Sequence, residues 1–273
     1  MTYRPVLPGE GYLGWQFLQR TKASQQAAHA GTQAARRDEA YFRAHIAGVN
    51  SAEDLVKDRT LLRVALTAFG LQDDLPNRAY LQKVLESSIY DPRSFVNRLT
   101  DKRYYQLAQA FGFADRVVPR NQFHGFADDI LGKFRDRSFE VAVGEQNVDM
   151  RLSLALQRDL PELAAKAVSD SARWFTLLGT PSLRDVFERA FNLPTAFGQL
   201  DLDRQVDILR RKTEALTGAA TVEQFSRPEA LDALTRRFLL MGQVNQTQGA
   251  SGQSAALSLL QAGQAALSGV LRR

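Results

Sequence analysis

Apolar residues recur at three- and four-residue spacing along nearly the whole chain, which predicts helices throughout and no sheet. After Pro8, Tyr12-Leu13-Gly14-Trp15-Gln16-Phe17-Leu18 opens a helix. Its continuation over residues 23–35 is rich in Ala and Gln, so it reads as long and thinly anchored, with a break expected near Gly31. Aromatic anchoring returns at Tyr41, Phe42 and Ile46. Val141-Ala142-Val143 is too short to argue for a strand and lies in a helical frame.

One helix ending recurs. Leu62, Ala65, Leu66 and Phe69 keep helical spacing before Gly70-Leu71; Tyr104, Leu107, Ala108 and Phe111 precede Gly112-Phe113; Leu183, Val186, Phe187, Ala190 and Phe191 precede Asn192-Leu193. Gly or Asn suits a left-handed residue just past the helix, and the next apolar residue can fold back onto the last turn, at Ala65, Leu107 or Phe187. Asp58, Asp101 and Thr180 stand where N-caps belong, with Pro181 in a first turn.

A second apolar stripe follows each ending: Tyr80, Leu81, Val84 and Leu85; Phe123, Phe126, Ile130 and Phe134; Val206, Ile208, Leu209 and Leu216. The fold class is therefore all-α and multihelical, roughly three degenerate helix-pair units. Between the second and third lie a helix from about Phe139 to Gln157 and another carrying Trp174, Phe175, Leu177 and Leu178, punctuated by Pro161. A last core helix follows Pro228, with Leu231, Leu234, Phe238 and Leu239.

The expected organisation is a multihelical domain over 1–240, an uncharged Gln/Gly/Ser linker over 241–254, and a tethered amphipathic helix over 255–273. Leu257, Leu260, Leu267 and Leu271 lie on or near one stripe of that helix. They are the candidate partner-binding residues, for docking on the chain's own core, a second copy or another protein.

Charge and composition exclude more than they assign. Thirty-five basic against 30 acidic side chains leave a net charge of +5, with a pI near 9.6. Signs alternate along the predicted helices, so doublets such as Arg36-Arg37 and Arg236-Arg237 read as solvated faces, and no nucleic-acid partner is expected. The absence of cysteine removes disulfides, thiolate metal sites and cysteine nucleophiles. No apolar run approaches a membrane span, and Met1 to Pro8 lacks the apolar core of a cleavable signal peptide. A cytoplasmic location is expected on these grounds.

Candidate chemistry is sparse. Gly9-Glu10-Gly11-Tyr12-Leu13-Gly14 matches G-x-G-x-x-G formally, but a dinucleotide site needs a preceding strand, and here the run reads as the approach to the first helix. His29, His45 and His124 share no metal-ligand spacing; His124 has Asp128 and Asp129 one turn on, the nearest thing to an acid–base pair. Asp73, Asp74, Asp201 and Asp203 suit the positive ends of helices. Trp15, Tyr104, Tyr105, Trp174 and Phe175 read as core aromatics rather than a ligand slot. No catalytic residue, metal or cofactor is expected, and the chain is read as no enzyme.

Three stretches together carry a resemblance: Gly11-Tyr12-Leu13-Gly14-Trp15 with Phe17 to Thr21, Ala52 to Leu71, and Asp91-Pro92 through Asn97-Arg98-Leu99-Thr100-Asp101 to Phe113. They resemble an alphaproteobacterial family catalogued as a domain of unknown function, number 1217. Its genes tend to lie among flagellar genes, and some members are labelled flagellar basal-body rod proteins. The resemblance covers most of residues 3–240. It implies a multihelical fold and a link to the flagellum, and brings no catalytic residues. Rod and hook families pair an Asn-rich N-terminal helix with β-rich domains, which this chain lacks, so a flagellum-associated binding protein is expected rather than a rod subunit. A small-ligand sensor with a pocket among aromatic helices is the alternative.

Overall fold

Capping chemistry fixes many of the helix ends of this chain, and the computed structural model describes residues 3–244. The elements are α1 (Gly11–Ala30), α2 (Gln33–His45), α3 (Ala52–Lys57), α4 (Arg59–Ala68), α5 (Arg78–Leu85) and α6 (Lys102–Phe111). They continue with α7 (Phe126–Gly144), α8 (Val148–Ala164), α9 (Asp170–Leu178), α10 (Pro181–Ala190) and α11 (Leu202–Thr217). A final helix, α12, spans 228–244. Short 3-10 turns fill several connections, and no strand occurs among the described residues.

The three recurring endings form as expected. Gly70, Gly112 and Asn192 all take positive φ, at 69°, 68° and 49°. After α4 and α10 the cap is a Schellman motif: Leu71 donates to Leu66 at 2.8 Å and Gly70 to Thr67 at 3.0 Å, while Leu193 donates to Glu188 and Asn192 to Arg189. After α6 the simpler form appears, with Gly112 donating to Ala108 at 2.8 Å and Phe113 stacking on Phe111. At the starts, Asp58 accepts from the amides of Thr60 and Leu61, and Asp101 from Arg103. Thr180 is the exception: its hydroxyl donates back to the Thr176 carbonyl and caps nothing, although Pro181 occupies the first turn.

Two main cores result. One gathers Phe42 of α2, the apolar face of α4, Leu107 and Phe111 of α6, and Phe126, Ile130, Leu131 and Phe134 of α7. The other gathers Trp15 and Leu18 of α1, Phe139 and Val143 of α7, and the buried faces of α8 to α12. A small third cluster, Val84, Val96 and Ala108, sits beneath the segment after α5. Helix α7 thus contributes its first half to one core and its second half to the other, packing on α4 and on α8.

Several boundaries differ from the expectation. The helix predicted from Phe139 to Gln157 is two helices, because the Asn147 side chain accepts from Met150 at 3.0 Å and caps α8. Pro161 lies inside the last turn of α8 instead of between helices. Burial of Leu160, Leu163 and Ala164 holds that turn against a cost of about 3 kcal/mol for a helical proline. Phe123 precedes α7 and is exposed. Helix α12 runs on through residues 241–244, which the sequence pattern assigned to the linker. The rest of that linker and the tethered helix lie outside the described residues.

The glycine-rich run is a packing device. Gly11 starts α1 with φ 62°, and a side chain there would overlap Gln243 of α12. A Cβ on Gly14 would overlap the Gly9 carbonyl oxygen and come within 3.1 Å of the Met150 side chain. Gln25 secures the same approach, accepting from the Val6 amide at 2.7 Å and donating to its carbonyl at 3.1 Å. Helix propensity alone favours Gly→Ala by about 1 kcal/mol, but a backbone overlap outweighs it. Gly14→Ala is therefore expected to destabilise by about 1–2 kcal/mol net. Gly132→Ala, in α7 with open space around it, is expected to stabilise by about 0.5–1 kcal/mol. Urea unfolding of both variants checks the opposite signs.

Candidate functional site

Residues singled out from sequence are mostly absorbed by structure. Asp128 pairs with Arg43 at 2.7 Å on the surface, and that guanidinium, far more than exposed His124, holds its carboxyl below the usual range. His45 stacks on Tyr41 and shares a 2.8 Å contact with the Tyr41 carbonyl. Asp74 accepts from the Tyr104 hydroxyl at 2.7 Å, and burial with this bond raises the phenol's pKa. Asp201 caps α11 through the Arg204 amide. Trp15 and Trp174 are core, the latter edge-on to Phe187. No group of three or more His, Cys, Asp or Glu is placed to hold a metal among the described residues. Leu257, Leu260, Leu267 and Leu271 lie outside the described residues.

What sequence reading missed is a charged cleft of about 870 Å³ where the two cores meet. Its walls are the end of α4, α6, α7, α8 and the start of α10. The signal was present as helical spacing: Lys133, Asp136, Arg137 and Glu140 form one polar stripe of α7, and Arg151, Arg158, Asp159 and Glu162 one of α8. Each stripe alone looks like a solvated face; facing one another, they are half-hidden.

Three guanidiniums converge there. Arg158 binds Asp159 through two bonds, 2.8 and 2.9 Å, and pairs across with Glu140 of α7. Arg103 binds Asp101 and donates to the carbonyl of Gly70. Among the described residues Arg137 reaches only Asp159, at 3.5 Å, while one of its terminal nitrogens faces the bare side of Gly70. Burial lowers the Arg137 pKa to about 10; Asp159 opposes this, and repulsion from Arg158 and Arg103 adds to it. Asp185, at the edge of the cleft, is raised by burial. Thr180, Pro181 and Ser182 bring to the same cleft a helix start with no side-chain cap.

A second surface comes from two irregular segments, 86–101 and 113–125. Asn121 is 2% exposed and donates to the carbonyls of Ile46 and Val49 at 2.7 and 2.8 Å. The Asn97 amide donates to the carbonyls of Ile89 and Asp91, and Asp115 accepts from the Ile89 amide at 2.9 Å. These bonds hold the segments together, yet Tyr90 (72%), Val117 (102%), Val118 and Phe123 stand exposed on them.

The family described as Protein of unknown function (DUF1217) matches residues 68–231, more than half of the chain and every wall of the cleft. The chain belongs to this family. The fold is similar to the X-ray crystal structure of Protein AGR_C_984 from Agrobacterium tumefaciens, a structural genomics target. That likeness has a TM-score of 0.71 and covers 89% of this chain and 99% of the other, at 23% identity, so it speaks to fold alone. No curated protein matches the chain.

One half-buried titratable group makes stability depend on pH. His29 lies edge-on between Tyr3 and Phe139, and its Nδ1 has no hydrogen-bond partner among the described residues. Burial holds the imidazole below its ordinary 6.5, with Glu145 opposing. The unfolded chain thus binds the proton more readily. Stability is complete above pH 6.5 and falls as the pH drops towards the depressed folded value. The ring is only half-buried, so the slope should stay well under about 1.4 kcal/mol per pH unit. Denaturant unfolding above and below that pH is expected to show the loss, and His29→Phe to flatten it.

Proposed function

We propose that this chain is a non-enzymatic, flagellum-associated protein, an assembly factor or minor structural component that works by binding other proteins. The observation that carries the binding part is the cost of the exposed surface at Tyr90, Val117, Val118 and Phe123. Irregular backbone held by asparagine side chains, with aromatic and branched side chains turned to water, is pre-organised in the way interface anchors are. The flagellar part rests on the resemblance of the three sequence stretches. The stripe of Leu257, Leu260, Leu267 and Leu271 offers a second contact, to a flagellar protein or to another copy. No helix among the described residues is long and apolar enough to cross a membrane, and a cytoplasmic or flagellar location fits this reading.

The charged cleft favours a second reading, a small-ligand sensor. Its walls are ionic, however, and not the aromatic slot that such a sensor was expected to use.

Deleting the gene in the bacterium that encodes it is expected to leave missing or truncated flagella by negative-stain microscopy. The wild-type gene should restore them. A Tyr90→Ala, Val117→Asp variant should not, nor a Leu260→Asp, Leu267→Asp variant, although the purified proteins keep the wild-type melting temperature. Loss of such anchors typically weakens a complex about tenfold or more. Normal flagella in the deletion strain, or full restoration by both variants, would contradict the proposal.

A further inference from the structure

Most buried polar groups in this chain are committed to structure. Asp38 is 6% exposed and takes a two-bond clasp from Arg63, tying α2 to α4. Gln25 and Asn121 satisfy backbone groups of otherwise irregular segments. Arg103 and Arg158 direct their forks at Asp101 and Asp159. A few buried polar atoms lack a partner among the described residues, Trp174 Nε1 and Thr213 Oγ1 among them, and Arg137 is a poorly bonded group that also carries a charge. It has five N–H donors, and the one hydrogen bond the structure gives it is the 3.5 Å contact to an Asp159 whose oxygens already serve Arg158. Its side chain is only 17% exposed. A guanidinium so desolvated and so little bonded is costly unless something else uses its donors.

The setting supplies room and further donors. Arg137 opens onto the cleft of about 870 Å³, with Gly70 presenting no side chain beside it. Lys133 stands one helical turn away on the same face and also lines the cleft. The start of α10 lines it too, without a side-chain cap for its first-turn amides. Of the acids that line the cleft, Glu140 and Asp159 pair with Arg158, and Asp185 with Arg189. Asp73, Asp129, Asp136 and Glu162 form no ion pair among the described residues, and they restrict the cleft to a ligand small enough to seat its anionic group on Arg137.

We propose that the cleft is a binding site for a small ligand carrying an oxyanion, a phosphate or carboxylate group, with the Arg137 fork as its anchor and Lys133 as an auxiliary charge. Planar donors of a guanidinium match either group with two parallel bonds. This goes beyond the protein-binding reading and stands or falls separately from it, since the apolar loops and the cleft share none of the residues argued from.

The competing account is an ion pair that only registers α7 against α8. Melting temperatures and isothermal calorimetry with pyrophosphate, inorganic phosphate, citrate and malonate, at ionic strength matched with chloride, separate the two. The proposal expects at least one of these probes to bind saturably and raise the melting temperature. A response confined to pyrophosphate and phosphate identifies a phosphoryl ligand, and one confined to citrate and malonate a carboxylate. Arg137→Met should weaken that binding by about tenfold or more, while the unliganded melting temperature stays level or rises. Lys133→Gln, a change at the cleft wall that spares the core, should weaken it severalfold and serves as the deciding variant if Arg137→Met does not fold. No saturable binding by any probe, or binding unchanged in the variants that fold, overturns the proposal.

Discussion

Helix α7 is the element on which the rest of the molecule depends. A single amphipathic helix buries one continuous stripe against one core, but α7 must serve two. Phe126, Ile130, Leu131 and Phe134 belong to the first, and Phe139 and Val143 to the second. The faces not claimed by either core carry charge, and one of them meets the charged face of α8. Arg158 with Glu140 fixes the lateral register of that meeting. The cleft is what remains when two apolar cores are joined side by side through one helix: their polar margins face each other and stay apart.

The same logic explains where polar side chains are buried. In the cores, hydrogen bonding is supplied by helices, and buried polar side chains are few. Three side chains serve irregular backbone, buried Asn121 and Gln25 and half-buried Asn97, and each replaces helical bonds for a stretch that cannot form its own. Segments held this way can afford an unusual surface, and the loops bearing Tyr90, Val117 and Phe123 have one. The binding proposal and the ligand proposal therefore rest on different parts of one architecture.

How much was legible in the sequence follows from the range of each interaction. Caps are local: Gly70, Gly112 and Asn192 announce themselves within six residues, and all three endings form. The fold class and the core positions of α12 were legible because helical spacing repeats over several turns. The break at 145–147 was not, because residues on both sides keep helical spacing and only the Asn147 cap interrupts it. Pro161 misled for the opposite reason, a strong local breaker overridden by tertiary burial. The cleft was illegible in principle from one helix at a time. Lys133, Arg137 and Glu140 look like any solvated stripe until α8 is placed opposite, and that placement depends on the hydrophobic residues instead.

If α7 joins the two cores, they must unfold together. Both tryptophans, Trp15 and Trp174, lie in one core, whereas far-ultraviolet circular dichroism reports helices of both. Urea unfolding followed by tryptophan fluorescence and by circular dichroism is the most direct test. Superimposable transitions with one midpoint are expected. A separate circular-dichroism phase, in which helix is lost while tryptophan fluorescence stays native, would show cores that are stable independently and would contradict it.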